Sequence, residues 1–312
     1  MSLAALLRLR DLRFLAAGTL FNSAGNMGEL VVLGWLALEL TNSPFLVGAA
    51  LGCRMLPLAL VGVPAGVLAD RVARPRLLLI TGVGQALTTA AMGALTLLGV
   101  VTLGQLLLLT VAAGALRGVE HAARQSYAHD VVGGGALVDG LAILGLAMRA
   151  GWLVGSLGVG ALIAHRGSGE AYLAVAVAYL LGGLALLPAR ALAPVAVGAP
   201  DSLWRGVTGF ATAVREDRML LVLMLLTAGA EVLGFAHQAL LPSLSRDVLH
   251  TGPEGLGAMS AARAVGGILG LGSRCAASSG AVARSSSACW WRSGRAWWPW
   301  AARPTWWASP AS

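Results

Sequence analysis

The segment Gly66-Val67-Leu68-Ala69-Asp70-Arg71-Val72-Ala73-Arg74-Pro75-Arg76 joins two long apolar runs and sets one acid among three arginines. Each part has a physical reason in a membrane. Gly66 lets the helix that carries it approach a neighbour closely. Asp70 is placed to cap a helix end or to pair with a cation. Arg71, Arg74 and Arg76 hold the turn at an aqueous surface, and arginine-rich loops stay on the cytoplasmic side of a bilayer. A generic positively charged loop accounts for the arginines alone and not for the order of residues around them.

The runs on either side belong to a series. Stretches of about 20 mostly apolar residues make a spanning helix. They fall at 14–38, 45–69, 77–98, 103–123, 141–164, 171–187 and 219–241, with a weaker one at 255–273. Across the 312 residues, 57% are hydrophobic and 12% charged, against about 25% charged in soluble proteins. So little polar surface cannot keep a chain in water, which makes lipid its solvent and the expected fold an all-α membrane protein. The first run is longer than a signal-peptide core and seven more follow it, so it is expected to stay in the mature protein.

The connections alternate in charge. Arg8, Arg10 and Arg13 precede the first run, Thr41-Asn42-Ser43-Pro44 carries no charge, and after 71–76 the turn 99–102 again carries none. Arg117 and Arg124 close the fourth run, and Arg190, Arg205, Arg215 and Arg218 lie between the sixth and seventh. The expected arrangement is a multi-pass protein of the cell membrane with a cytoplasmic N-terminus. His165-Arg166 and Arg246 form only a modest excess on the other side. In a background without native cysteines, single cysteines at positions 43 and 205 should react with an impermeant maleimide from outside and inside respectively. The reverse accessibility would overturn this orientation.

The net charge of +8 does not indicate nucleic acid. All 22 basic residues are arginine, five of them lie from Arg274 onward, and the preceding 273 residues hold 17 arginines against 14 acids. A nucleic-acid binder needs a basic face that tracks phosphates, whereas these arginines sit in short clusters between apolar runs. Cys53, Cys275 and Cys289 show no pairing or metal spacing, and His121, His129, His165, His237 and His250 are scattered. Gly133-Gly134-Gly135 lacks the Lys-Ser/Thr of an ATP-binding loop. No metal, no cofactor and no enzymatic constellation is expected, so any transport must draw on a gradient.

The opening segment resembles the Gly-x-Leu-Ala-Asp-Arg-x-Gly-Arg-Arg/Lys loop of the major facilitator superfamily, with Ala73 for the usual glycine and Pro75 for a usual basic residue. Four other stretches are similar to the exporter branch that includes the enterobactin exporter and drug-efflux relatives. They are Leu9-Arg10-Asp11-Leu12-Arg13-Phe14, Glu39-Leu40-Thr41-Asn42-Ser43-Pro44, Ala123-Arg124-Gln125, and Leu241-Pro242 through Val248-Leu249. The resemblance covers about residues 7–272. It implies a secondary transporter working by alternating access, with a six-helix bundle at 1–190, a cytoplasmic linker at 191–218 and an incomplete second bundle at 219–273. Such transporters carry inverted three-helix repeats in each bundle. It also implies a gating role for Gly66, Asp70, Arg71, Arg74 and Arg76, with Asp70 as a latch against the second bundle. Gly151, Gly155, Ser156, Gly158 and Gly160 resemble an antiporter signature, Gly-Pro-x-x-Gly-Gly, with Ser156 for proline and Val159 for one glycine. Close helix packing through small residues is the other reading.

Ionisable groups inside spans are costly and either line a pathway or pair with one another. Asn22, Asn26 and Glu29 share one face of the first span, with Glu29 near mid-depth. Glu29 has two readings: a carboxylate that exchanges a proton, or one paired for structure with Arg54 or Arg149. Glu231 in the seventh span has the same two readings, with Arg263 as its structural partner. Arg149 matches an arginine common in the exporter branch, and it also lies close enough to the cytoplasmic end to reach the headgroups.

After Ser273 the character changes. Residues 274–312 contain no Leu, Ile, Met, Phe or acid, and they hold seven of the ten tryptophans. Such sequence builds neither a span nor a core. Tryptophan has the single codon TGG. In a shifted frame, Cys289-Trp290-Trp291 becomes leucine then valine, and 296–301 likewise becomes apolar. The expectation is a frameshifted, disordered tail that leaves spans nine to twelve unmade. The sequence therefore carries two functional readings. The first is a proton-coupled exporter of siderophore- or drug-like small molecules, truncated as it stands. The second is a non-transporting membrane protein that partners a half-transporter.

Overall fold

A computed structural model describes the backbone of residues 9–132, 137–189, 209, 212 and 214–278; among these, side chains are described except at 58–71, 137, 138, 228, 231–236 and 271–278. There is no strand among the described residues. The main helices are α1 (Arg10–Thr41), α2 (Pro44–Arg71), α3 (Arg74–Leu97), α4 (Leu103–Val132), α5 (Leu137–Arg166), α6 (Ser168–Leu184), α7 (Arg218–Ala236) and α8 (Gly252–Ser278). The expected all-α membrane architecture is what the chain adopts. Among the described residues, Arg74–Leu97, Leu103–Val132 and Asp139–Arg166 are each long and apolar enough to cross a bilayer. α1 has the length, at 32 residues, but carries Asn22, Asn26 and Glu29 in its middle.

Local chemistry sets the ends of the helices. Asn42, in the left-handed conformation at φ 49°, closes α1 by donating its N–H to the Leu38 carbonyl (2.9 Å). Pro44 then opens α2, where a missing N–H costs nothing. Pro75 falls in the first turn of α3 for the same reason, so this departure from the superfamily loop starts the next helix. Gly167 alone separates α5 from α6, at a φ of 88° that a side chain would strain. Asp217 Oδ1 accepts from the N–H groups of Met219 and Leu220 (2.8 and 3.2 Å) and caps α7.

Several boundaries differ from the sequence expectation, and α8 runs on to Ser278, five residues into the stretch expected to be a disordered tail. α4 runs on to Val132, past the end expected at Ala123, supported by the i,i+4 ion pair of Glu120 with Arg124. α6 starts at Ser168 and ends at Leu184, with a turn through Leu187. The seventh run stops as a regular helix at Ala236. A 3₁₀ turn (His237–Ala239), an α turn (Leu241–Ser243) and a π turn (Leu244–Val248) follow. Pro242 lacks an N–H and its ring collides with a carbonyl one turn earlier, so the run cannot continue as one helix.

The chain forms two compact units, Met1–Val265 and Gly266–Ser312. In the first, α1 packs against α5 and α6, α3 against α4 and α6, and α2 against α4. Glycine makes these approaches close. A Cβ on Gly155 of α5 would lie 2.8 Å from the Ala24 Cα of α1, and one on Gly82 of α3 would lie 3.0 Å from the Gly183 Cα of α6. Two apolar clusters fill the unit. One holds Leu12, Leu15, Leu78, Tyr127, Ile143 and Leu186 at the arginine-rich end, the other Val31, Val32, Leu36, Met92, Tyr172 and Val175. Between them lies a polar layer. Large apolar side chains such as Leu87, Leu108 and Val154 point outward and are exposed, as a lipid-facing surface requires.

Candidate functional site

The polar layer is built on one stripe of α1. Asn22, Asn26 and Glu29 lie on one helical face, and that stripe touches three other helices. Asn22 Nδ2 donates to Gln85 Oε1 of α3 (3.2 Å). Arg54 Nη2 of α2 donates to Asn26 Oδ1 and to Glu29 Oε2, each at 2.8 Å. The Tyr179 hydroxyl of α6 donates to the same Glu29 oxygen at 2.5 Å and accepts from Arg54 at 3.5 Å. Glu29 is 4% exposed and Arg54 2% exposed. Of the two arginines that the sequence offered Glu29, Arg54 is the one it meets.

The site is not fully satisfied. Arg54 Nε and Nη1 and Gln85 Nε2 are buried without a hydrogen-bond partner. Unpaired donors in a buried network are costly, and here two of them belong to the arginine that pairs with Glu29. A small pocket beside Glu29 is lined by Thr88, Thr89, Thr110 and Tyr172. A second ionic group lies nearer the arginine-rich end, where Glu120 pairs with Arg124 and Arg124 Nη1 donates to Thr19 Oγ1 (2.8 Å).

The other sequence candidates fall elsewhere. The guanidinium of Arg149 lies 5.9 Å from the ring centre of Trp152, and Arg263 of α8 lies 5.3 Å from the same ring. The backbone of Glu231 is helical within α7, but its side chain is outside the described residues, as are those of Gly66, Asp70 and Arg71 in the last turns of α2. Arg74 pairs with Asp130 near the end of α4 and donates to the Ser126 carbonyl (3.4 Å), whereas Arg76 is exposed. Gly151 and Gly155 face the α1 backbone, Gly160 faces Gly257 and the Pro253 carbonyl, and Gly158 faces open space. Gly151, Gly155 and Gly160 are thus packing positions.

Sequence reasoning missed Gln85, Tyr179, Asp130 and Glu120. Glu120 carried a signal, an acid one turn before Arg124 inside an apolar run. Gln85 and Tyr179 carried none, because one polar tip on an apolar helix looks like many others. Among the described residues, no group of three or more His, Cys, Asp or Glu is placed to hold a metal.

No curated relative and no solved structure matches this chain. The sequence profile of the Major Facilitator Superfamily does match, over residues 15–298. That match takes in every helix described above from the second turn of α1 onward, and it continues past Arg274. With an all-helical membrane fold and a buried charged layer in its first six helices, the chain belongs to the Major Facilitator Superfamily of secondary transporters.

Proposed function

We propose that this chain has the design of a proton-coupled exporter of small molecules, siderophore- or drug-like, with Glu29 as the group that exchanges the proton. The observation that carries the reading is the Glu29–Arg54 ion pair at 2.8 Å, buried between two apolar clusters and bordered by unpaired Arg54 nitrogens. A proton on Glu29 removes the charge that holds Arg54, so α1 and α2 lose their strongest mutual contact. A gradient that loads and unloads that proton biases two arrangements of the bundle, which is what coupling requires. Glu231 is the corresponding acid of the second part, and the loop Gly66, Asp70, Arg71, Arg74, Arg76 is the gate at the cytoplasmic end, in the cell membrane with the N-terminus inside. The direction of transport and the class of cargo rest on the exporter resemblance. In proteoliposomes of the protein with its reading frame restored, under an imposed proton gradient, Glu29→Gln should abolish gradient-driven efflux while insertion is unchanged. Equal efflux by the variant across a pH series would reassign Glu29 to structure.

The frameshift belongs to the same proposal. Its support is the composition of 274–312 and the apolar reading of its tryptophan codons in another frame. The superfamily match through residue 298 is the finding that weighs against it. Sequencing the locus decides: an apolar open frame overlapping the tail sustains the proposal, and a closed one removes it. With the frame shifted, the 312-residue product should insert without transporting.

One observation favours the second reading, an assembly partner that does not itself transport. Every described side chain of α7 from Leu221 to Thr227 is exposed, so this face is open to lipid or to another helix bundle. Co-purification with a second transporter subunit at fixed stoichiometry would support it; a monodisperse monomer would not.

A further inference from the structure

We infer that the cavity beside Glu29 holds one ordered water, hydrogen-bonded to Glu29 Oε1, and that the proton reaches the carboxylate through it from the end opposite the arginine-rich loops. The hydrogen bonds from Arg54 and Tyr179 both go to Oε2, and Oε1 accepts none from a described residue. Glu29 lines the cavity together with Thr88, Thr89, Thr110 and Tyr172. Thr110 and Tyr172 are 4% and 3% exposed, and their hydroxyls make no hydrogen bond to another described residue. The Thr88 and Thr89 hydroxyls donate to the Gln85 carbonyl (2.9 and 2.7 Å), which leaves each a lone pair to accept with. Buried polar groups of this kind take up water where the space is polar and large enough. The cavity offers about 10 Å³ for the centre of a water molecule, room for one. Met92, Leu109 and Ala113 complete the wall with apolar surface.

Charge and position give that water its role. Among the described residues, the charged and titratable groups that act on Glu29 are Arg54 of α2, Arg117 of α4, and Tyr172 and Tyr179 of α6. Two guanidinium charges repel a metal cation from this cavity. Water carries no charge, and it can donate to Oε1 while accepting from a hydroxyl of Thr110 or Tyr172. Tyr172 lies in the second turn of α6, Met92 in the last two turns of α3, and Thr110 two turns into α4. Those helix ends meet at 98–102 and 167, away from the arginine-rich loop at 71–76. The cavity therefore lies between Glu29 and that end, whereas Asn26, Asn22 and Gln85 lie on the arginine-rich side. A proton arriving from that end adds to the water, and the water passes one of its protons to Oε1. The carboxylate becomes the neutral acid and the water is unchanged. As a proton route the proposal rests on the reading of Glu29 given above; as a water site it stands on the cavity itself.

The test begins with the full 312-residue chain in phosphatidylcholine nanodiscs, exposed to an X-ray pulse that turns water into hydroxyl radicals in place. Buried side chains are oxidised by this treatment where they touch water, and mass spectrometry identifies them. Tyr172 and Met92 should be oxidised, and Tyr127, equally buried in the other apolar cluster, should not. Thr110→Val, which keeps the shape and removes the hydroxyl, should lose the oxidation of Tyr172 and Met92, and Thr110→Ser should keep it. Tyr172→Phe, read at Met92, is the second hydroxyl deletion and should lose it too. In proteoliposomes of the frame-restored protein, Thr110→Val should lower the maximal rate of proton-driven efflux about tenfold, the loss of one hydrogen bond, with the KM for cargo unchanged. Thr110→Ser should retain the parent rate. Tyr172 and Met92 oxidised no faster than Tyr127, or oxidation unchanged in both hydroxyl deletions, would overturn the water site. A raised KM, an equal loss of rate in the valine and serine variants, or efflux that requires sodium ions would overturn the proton route. Efflux indifferent to Glu29→Gln would remove the transport reading and the route with it, while the oxidation pattern still decides on the water. Efflux that depends on Glu29 with Tyr172 unoxidised would remove the water and leave the transport reading standing.

Discussion

Replacing Gly155 by valine should prevent α5 from seating on α1 and leave the first bundle unassembled. At this position the nearest neighbours of an added Cβ are backbone atoms, among them the Ala24 Cα at 2.8 Å and the Ala24 carbonyl oxygen closer still. Backbone inside a helix cannot swing aside as a flexible side chain can. The whole helix must move, and α1 is the one that presents Asn22, Asn26 and Glu29 to their partners. Overpacking costs roughly 1–3 kcal/mol where side chains can adjust, so a loss at or above the top of that range is expected here. The internal control is Gly158, one turn further along α5, where an added Cβ meets nothing within 4 Å. Thermal unfolding in detergent should show Gly155→Val aggregated or melting far below the parent and Gly158→Val close to it. Equal behaviour of the two would mean that the α1–α5 seam is not as close as described.

The second large effect is expected at Arg54. Arg54→Leu removes the cation that hydrogen-bonds Glu29 and leaves a buried carboxylate that, among the described residues, keeps the Tyr179 hydroxyl as its donor. Breaking a buried pair from one side costs about 3–5 kcal/mol, because the remaining charge is uncompensated. Removing both charges, in Arg54→Leu with Glu29→Gln, should recover most of that loss, since a buried pair replaced by uncharged groups is often nearly neutral. Stability of the two single variants and the double variant, measured by denaturant titration in one detergent, gives the coupling directly. Additive losses would show that the two side chains do not act as a pair.

The fold was legible in the sequence because membrane helices announce themselves by length and by the arginines between them. The motif at 66–76, the turn at 41–44 and the glycines of the fifth run each fall at a helix end or a helix seam. What failed was the path of the chain where apolar length alone was used. The run at 219–241 breaks after Ala236 because Pro242 interrupts it, and the fourth run continues beyond Ala123 because a polar helix needs no apolar signal to persist. For the site, the stripe Asn22, Asn26, Glu29 was visible as a period on one helix, and Arg54 as a charge in another. Tyr179 and Gln85 were not, because their role depends on which helices become neighbours. That is decided by close approaches such as Gly82 to Gly183 rather than by the polar residues themselves.

If Glu29 exchanges the coupling proton as proposed, that proton can itself be followed. With the reading frame restored, the protein is reconstituted into liposomes that trap a pH indicator and the cargo identified by the efflux assay. Release of cargo down its own gradient should then drive protons inward with no gradient imposed, because coupling free energy acts in both directions. Glu29→Gln should move cargo, if at all, with no accompanying pH change. Cargo crossing the parent protein without proton movement, or a variant that moves as many protons per cargo molecule as the parent, would contradict the account.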